Sequence, residues 1–95
     1  MKIEFTTSAI SDLEDIKIYY TEQLVPQTGE KIISKIISHV ETLRDHPEIG
    51  RIVPEFQVTN IRELIHSPFR VVYQINDSTI YIIRIWRSER LMKFT

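Results

Sequence analysis

The hydrophobic period of the sequence changes at Pro47, and that change restricts the fold more than any other feature. Before it, apolar residues recur every three or four positions. Ile10, Leu13, Ile16, Tyr20 and Leu24 trace one stripe; Ile32, Ile33, Ile36, Ile37, Val40 and Leu43 trace another. That spacing puts each set on one side of a helix. The first helix is expected over 8–24. Thr7-Ser8 offers its N-cap, with Asp12, Glu14 and Asp15 in the turns that follow. The second is expected over about 27–45, stopped by Pro47, because the residue before a proline avoids helical backbone. Pro26 and Thr28 punctuate the short connection, so the two helices form an antiparallel hairpin.

Beyond Pro47 the pattern is that of strands. Residues 47–55 hold two prolines and one glycine and read as an irregular loop. Strands are expected at roughly 61–65, 69–75 and 79–86, with Asn76-Asp77-Ser78 turning the chain between the last two. A further strand at 2–6 alternates polar and apolar residues. A short helix or tail at 89–94 closes the chain. The order is βααβββ. It defines an α+β fold in which a small twisted, mostly antiparallel sheet carries the helical hairpin on one face. Ninety-five residues suffice for one domain, 1–95.

Composition excludes several classes of function. The chain lacks cysteine, which removes disulfide frameworks and thiolate chemistry. Neither a signal peptide nor a membrane-length apolar run is visible, so a cytoplasmic protein without membrane contact is expected. Gly29 and Gly50 are the only glycines, which leaves no P-loop, dinucleotide fingerprint or nucleophile elbow. His39, His46 and His66 lack the spacing of a metal site, and no metal or cofactor is expected. The net charge of −1 conceals an uneven distribution: residues 1–60 carry −4 and residues 61–95 carry +3.

The positive part is built on arginines in or just beyond the expected strands: Arg62, Arg70, Arg84, Arg87 and Arg90. Arg70 alternates with the Val71, Tyr73 and Ile75 stripe, which is taken as the side covered by the helices. Arg70 then lies on the open face. A three-residue turn at 76–78 would set it beside Arg84 and Trp86; a two-residue turn at Asp77-Ser78 would set it beside Arg87. Such arginines either form surface ion pairs with Glu55, Glu63 and Glu89 or make a concave cationic patch for phosphate or carboxylate. Trp86, Tyr73 and Tyr81 could stack bases, but strand aromatics in a small domain are more often core.

Several segments together resemble the RelE/ParE superfamily of bacterial toxins from type II toxin–antitoxin modules. They are Asp12-Leu13-Glu14-Asp15-Ile16 with Tyr19-Tyr20, then Leu43-Arg44-Asp45-His46-Pro47-Glu48-Ile49-Gly50-Arg51 and Val53-Pro54-Glu55. Ile61-Arg62-Glu63-Leu64, Phe69-Arg70-Val71-Val72-Tyr73-Gln74-Ile75 and Ile85-Trp86-Arg87-Ser88-Glu89-Arg90 complete the pattern. The resemblance implies a growth-arresting toxin, of the kind linked to plasmid stabilisation, neutralised by a cognate antitoxin. Two activities occur on this fold, ParE-like inhibition of DNA gyrase and RelE-like cleavage of mRNA on the ribosome; a degenerate member that only binds its antitoxin, without activity, is the third alternative. In the second branch, Arg70 matches the arginine that stabilises the scissile phosphate. Glu55 lies near the place of a general base, and Arg87 stands where many members have histidine. Arg70, Arg87 and Glu55 are therefore the catalytic candidates if the chain is a ribonuclease. Arg51, Arg62, Arg84, Trp86, Arg87 and Arg90 are the candidates for target or antitoxin binding. Acidic helices, a non-basic chain and Glu63-Leu64 in place of a lysine-rich strand favour the ParE-like branch.

Overall fold

The computed structural model describes residues 1–87; the expected helix or tail at 89–94, and Arg90, lie outside the described residues. The elements are β1 (Lys2–Phe5), α1 (Thr7–Glu22), α2 (Pro26–Glu41), a 3₁₀ turn (Thr42–Arg44), β2 (Arg51–Ile52), β3 (Ile61–His66), β4 (Phe69–Asn76) and β5 (Thr79–Arg87). They make one five-stranded sheet in the order β1-β5-β4-β3-β2. β1 runs parallel to β5, and every other pairing is antiparallel. The α+β fold with a helical hairpin on one sheet face is as expected. The irregular loop at 47–55 is corrected: Arg51 and Ile52 pair with Glu63 and Arg62 and add an edge strand.

The helices follow the sequence pattern with local departures. Thr6, one residue earlier than expected, caps α1: its Oγ1 accepts the Ala9 N–H at 3.1 Å. α1 ends where Leu24 enters the left-handed region, φ 64°. The Val25 N–H then reaches the Tyr20 carbonyl and the Leu24 N–H reaches Thr21, a Schellman closure. Leu24 is thus a terminator, 87% exposed, and not part of the inner stripe. Ile10 and Ile37 are likewise exposed, while Ala9 and Asp12 take buried places on α1. Left-handed backbone costs a β-carbon-bearing residue about 1–2 kcal/mol. Leu24→Gly is expected to raise stability by about 1 kcal/mol and the melting temperature by about 4–8 °C, read by thermal denaturation.

The main core lies between hairpin and sheet. Ile16, Ile36, Val40 and Leu43 from the helical side meet Leu64, Val71, Tyr73, Ile80, Ile82 and Ile85 from the strands. Tyr73 is completely buried, and its hydroxyl donates to the Pro47 carbonyl at 2.8 Å while accepting the Gly50 N–H at 3.0 Å. A β-carbon on Gly50 would lie 2.5 Å from that hydroxyl oxygen and 2.7 Å from the Glu63 carbonyl oxygen. Gly50 therefore permits the loop after α2 to close onto the sheet. Gly50→Ala is expected to cost about 1–3 kcal/mol in chemical denaturation through forced displacement of Tyr73.

The hairpin between β4 and β5 resolves the register. Asn76 pairs with Thr79, so the turn has two residues, Asp77 and Ser78, with Asp77 at φ 54°. This register does not persist. Tyr73 faces Ile82 but Val72 faces Arg84, so Ile83 is a bulge. One extra residue exchanges the faces of the strand beyond it. Val72 therefore faces Arg84 and Arg70 faces Trp86 on one side, while Phe69 faces Arg87 on the other. The neighbours expected from the longer turn arise from the shorter turn plus a bulge.

Candidate functional site

The sheet face away from the helices is not open. The chain between β2 and β3 folds over it, and Val53 packs with Val72, Ile61 and Trp86 as a second, smaller apolar cluster. Beside this cluster lies a buried set of charges. Register places Arg51 opposite Glu63 and Arg70 opposite Ile65, so their side chains share this face. Glu63 has a fully buried side chain, and its Oε1 accepts the Arg70 Nε at 2.7 Å. Arg70 Nη2 also meets this carboxylate. Glu63 Oε2 accepts the Arg51 Nε at 2.5 Å. Glu55, from the covering loop, takes Arg70 Nη1 at 3.2 Å and Nη2 at 3.3 Å.

The expectation that Arg70 stands on an open face is thereby corrected: it is 6% exposed and held between two carboxylates. Burial works against its charge, but the hydrogen bonds and charges of Glu55 and Glu63 together outweigh burial and hold its pKa above the ordinary arginine value. Two arginines and two glutamates make the set electrically neutral. Arg70–Glu63 is a buried pair, and the contacts of Arg51 and Glu55 with it are part-buried, in contrast to the surface pairs that are one of the two readings of the sequence. Arg51, with 62% of its side chain exposed, is the outward end of the set.

A second constellation forms where β5 outruns β1. β1 pairs only as far as Ile82, so the next polar groups on that edge of β5 need other partners. α1 supplies them. Thr6 donates its N–H to the Ile82 carbonyl at 3.0 Å and its hydroxyl to the Ile83 carbonyl at 2.9 Å. Asp12 accepts the Ile85 N–H at 2.8 Å and binds Arg84 through both oxygens, at 2.8 and 2.9 Å. The hydrogen bond to Asp12 is the main reason that the Arg84 pKa is raised. Arg84 in turn lies 4.7 Å from the centre of the Trp86 ring.

Between α1 and the end of β5 runs a groove of about 510 Å³, lined by Asp12, Asp15, Tyr19, Phe69, Trp86 and Arg87 among others. The Arg87 guanidinium lies 5.5 Å from the Tyr19 ring and 5.6 Å from the Phe69 ring. Arg87 and Arg70 are thus on opposite faces of the sheet, so of the two alternatives for the neighbour of Arg70 the one with Arg87 is not formed. Arg62, also on the helix-covered side, holds a loop in place. It donates to the carbonyls of Thr59 at 3.0 Å, Glu48 at 3.3 Å and Gly50 at 3.0 Å. His66, at the end of β3, lies beside His39; burial, then the charges of His39 and Lys35, lower its pKa. The residues that sequence reasoning did not single out as site residues are Asp12 and Glu63. Asp12 had a visible signal, since it lies three positions from Ala9 and four from Ile16, within the buried stripe.

This combination of a hairpin-backed mixed sheet and an arginine-rich last strand is that of a known class of small bacterial toxins. A family model described as the ParE toxin of the type II toxin–antitoxin system parDE matches residues 3–92, and the chain belongs to that family. Among solved structures, the chromosomal ParDE system of P. aeruginosa is similar at TM-score 0.77 and 27% identity, covering 92% of this chain and 95% of that one. The toxin–antitoxin complex RelBE2 from Mycobacterium tuberculosis shares the fold at TM-score 0.66 and 19% identity, over 90% of this chain and 95% of the other. A YoeB/ParE toxin from Agrobacterium tumefaciens shares it at TM-score 0.65 and 18% identity, over 92% and 98%. No curated protein sequence is significantly similar to the chain. Among the described residues, no helix is long and apolar enough to cross a membrane.

Proposed function

We propose that this ParE-family chain arrests bacterial growth by inhibiting DNA gyrase and is neutralised by a cognate antitoxin. The observation that carries this reading is the engagement of Arg70. A ribonuclease of this superfamily would need the matching arginine to meet the scissile phosphate. Here its Nε, Nη1 and Nη2 are directed at Glu55 and Glu63. Turning it toward a phosphate would leave the buried Glu63 with Arg51 alone, a loss of several kcal/mol. Glu55 is held in the same network, away from the role of a base. A toxin that works by binding a protein needs no such site and depends on its outer surface.

That surface supports the antitoxin reading. Ile10, Ile18 and Tyr19 are exposed on α1, and Phe56, Val58 and Ile65 are exposed on or beside the other side of the sheet. An antitoxin segment that folds on binding could cover either group. The similar structures described as ParDE and RelBE2 are toxin–antitoxin systems, which favours the same arrangement here.

Induction of the chain alone is expected to stop growth, switch on an SOS reporter and leave a translated message intact by primer extension. Co-expression of the neighbouring gene is expected to restore growth. Codon-phased cuts in the message with a silent SOS reporter would replace gyrase by the ribosome as target. Normal growth during verified soluble expression would remove the toxic function.

A further inference from the structure

His39 and His66 are far apart in sequence, and their spacing gives no sign of a shared site. The fold brings them together, one from the last turn of α2 and one from the end of β3. Their ring centroids are 5.8 Å apart and the ring planes meet at 57°. Among the described residues, neither imidazole is hydrogen-bonded or ion-paired to another side chain or to the backbone. We propose that the two rings form a bidentate site for a divalent transition metal of the zinc, nickel or copper type, bridging α2 to β3.

The geometry suits this chemistry. Imidazole nitrogens bind zinc at about 2.0–2.1 Å, and two rings on one tetrahedral ion have centroids about 5–6 Å apart. The observed centroid separation of 5.8 Å falls within that range. Imidazole selects zinc, nickel and copper over magnesium and calcium, which take oxygen ligands. Among the described residues no group of three or more His, Cys, Asp or Glu could hold a metal. Water or an outside ligand therefore completes the coordination, and affinity is below that of a closed four-ligand site. Lys35, which also interacts with His66, carries a charge that opposes a cation and weakens the site further. Binding would tie the C-terminal end of α2 to the sheet and stabilise the folded chain by mass action.

The test is thermal denaturation of the full chain, stripped with chelator and titrated with zinc chloride. At a hundredfold excess of free zinc over Kd the melting temperature is expected to rise by about 10 °C. Magnesium should give no rise. His39→Gln and His66→Gln should each abolish the effect, while His46→Gln should retain it. A second measurement needs no variant: paramagnetic nickel should broaden the ring protons of His39 and His66 before those of His46. No rise up to millimolar zinc would overturn the proposal. So would an equal rise with magnesium, the same rise in the double variant, or nickel broadening that starts at His46.

Discussion

Arg70→Ala is expected to lower stability by about 3–5 kcal/mol, a fall of roughly 12 °C or more in melting temperature. The reason is the partner left behind. Glu63 has a fully buried side chain, and Arg70 supplies two of the groups around its carboxylate. With Arg70 removed, Arg51 alone faces that charge, from a side chain 62% exposed to water. Glu55, at 23% exposure, can turn outward and be solvated, so most of the penalty comes from Glu63. Replacing both Arg70 and Glu63 with apolar residues of similar volume should restore much of the loss, because no unpaired buried charge then remains. Urea denaturation of the single and double variants measures both effects. A single-variant loss under about 1 kcal/mol would mean that the network contributes little more than a surface ion pair does.

Asp12→Ala is expected to cost about 2–4 kcal/mol. One carboxylate there serves the Ile85 N–H at the sheet edge and two nitrogens of Arg84. Alanine leaves a buried backbone donor without its acceptor and frees Arg84 from its partner. Arg84, 39% exposed, can move into water, so the backbone donor sets the lower bound of the loss. Asp12→Asn keeps one acceptor and should recover part of the stability. Trp86, the only tryptophan, lies under Arg84 and reports the change as a shift in its fluorescence. Full stability in Asp12→Ala, with unchanged Trp86 emission, would contradict this account of the edge.

The two hydrophobic periods were sufficient to expect the helical hairpin and the three long strands, because burial of one face imposes those periods. The two-residue strand at Arg51–Ile52 was hidden: its existence depends on Gly50 passing close to Tyr73, a contact distant in sequence. The bulge at Ile83 was hidden for a related reason. Residues 79–87 are apolar or aromatic at most positions, so alternation alone does not reveal where the faces exchange. The arginines were visible, but their partners were not. The charge difference between the two parts of the sequence is largely cancelled in space. Asp12 meets Arg84, Glu48 approaches Arg62 and Glu55 meets Arg70, each joining an early acidic residue to a later basic one. Arg62, Arg70 and Arg84 thus hold the two parts of the chain together. Arg87 lies apart from these three, in the groove beside α1 and against the rings of Tyr19 and Phe69.

We propose gyrase, and not mRNA, as the target of this chain. A supercoiling assay with purified gyrase, relaxed plasmid and the purified chain tests it most directly. Loss of supercoiling that rises with added chain and is reversed by the antitoxin is expected. Undiminished supercoiling at a large molar excess of folded chain would contradict it.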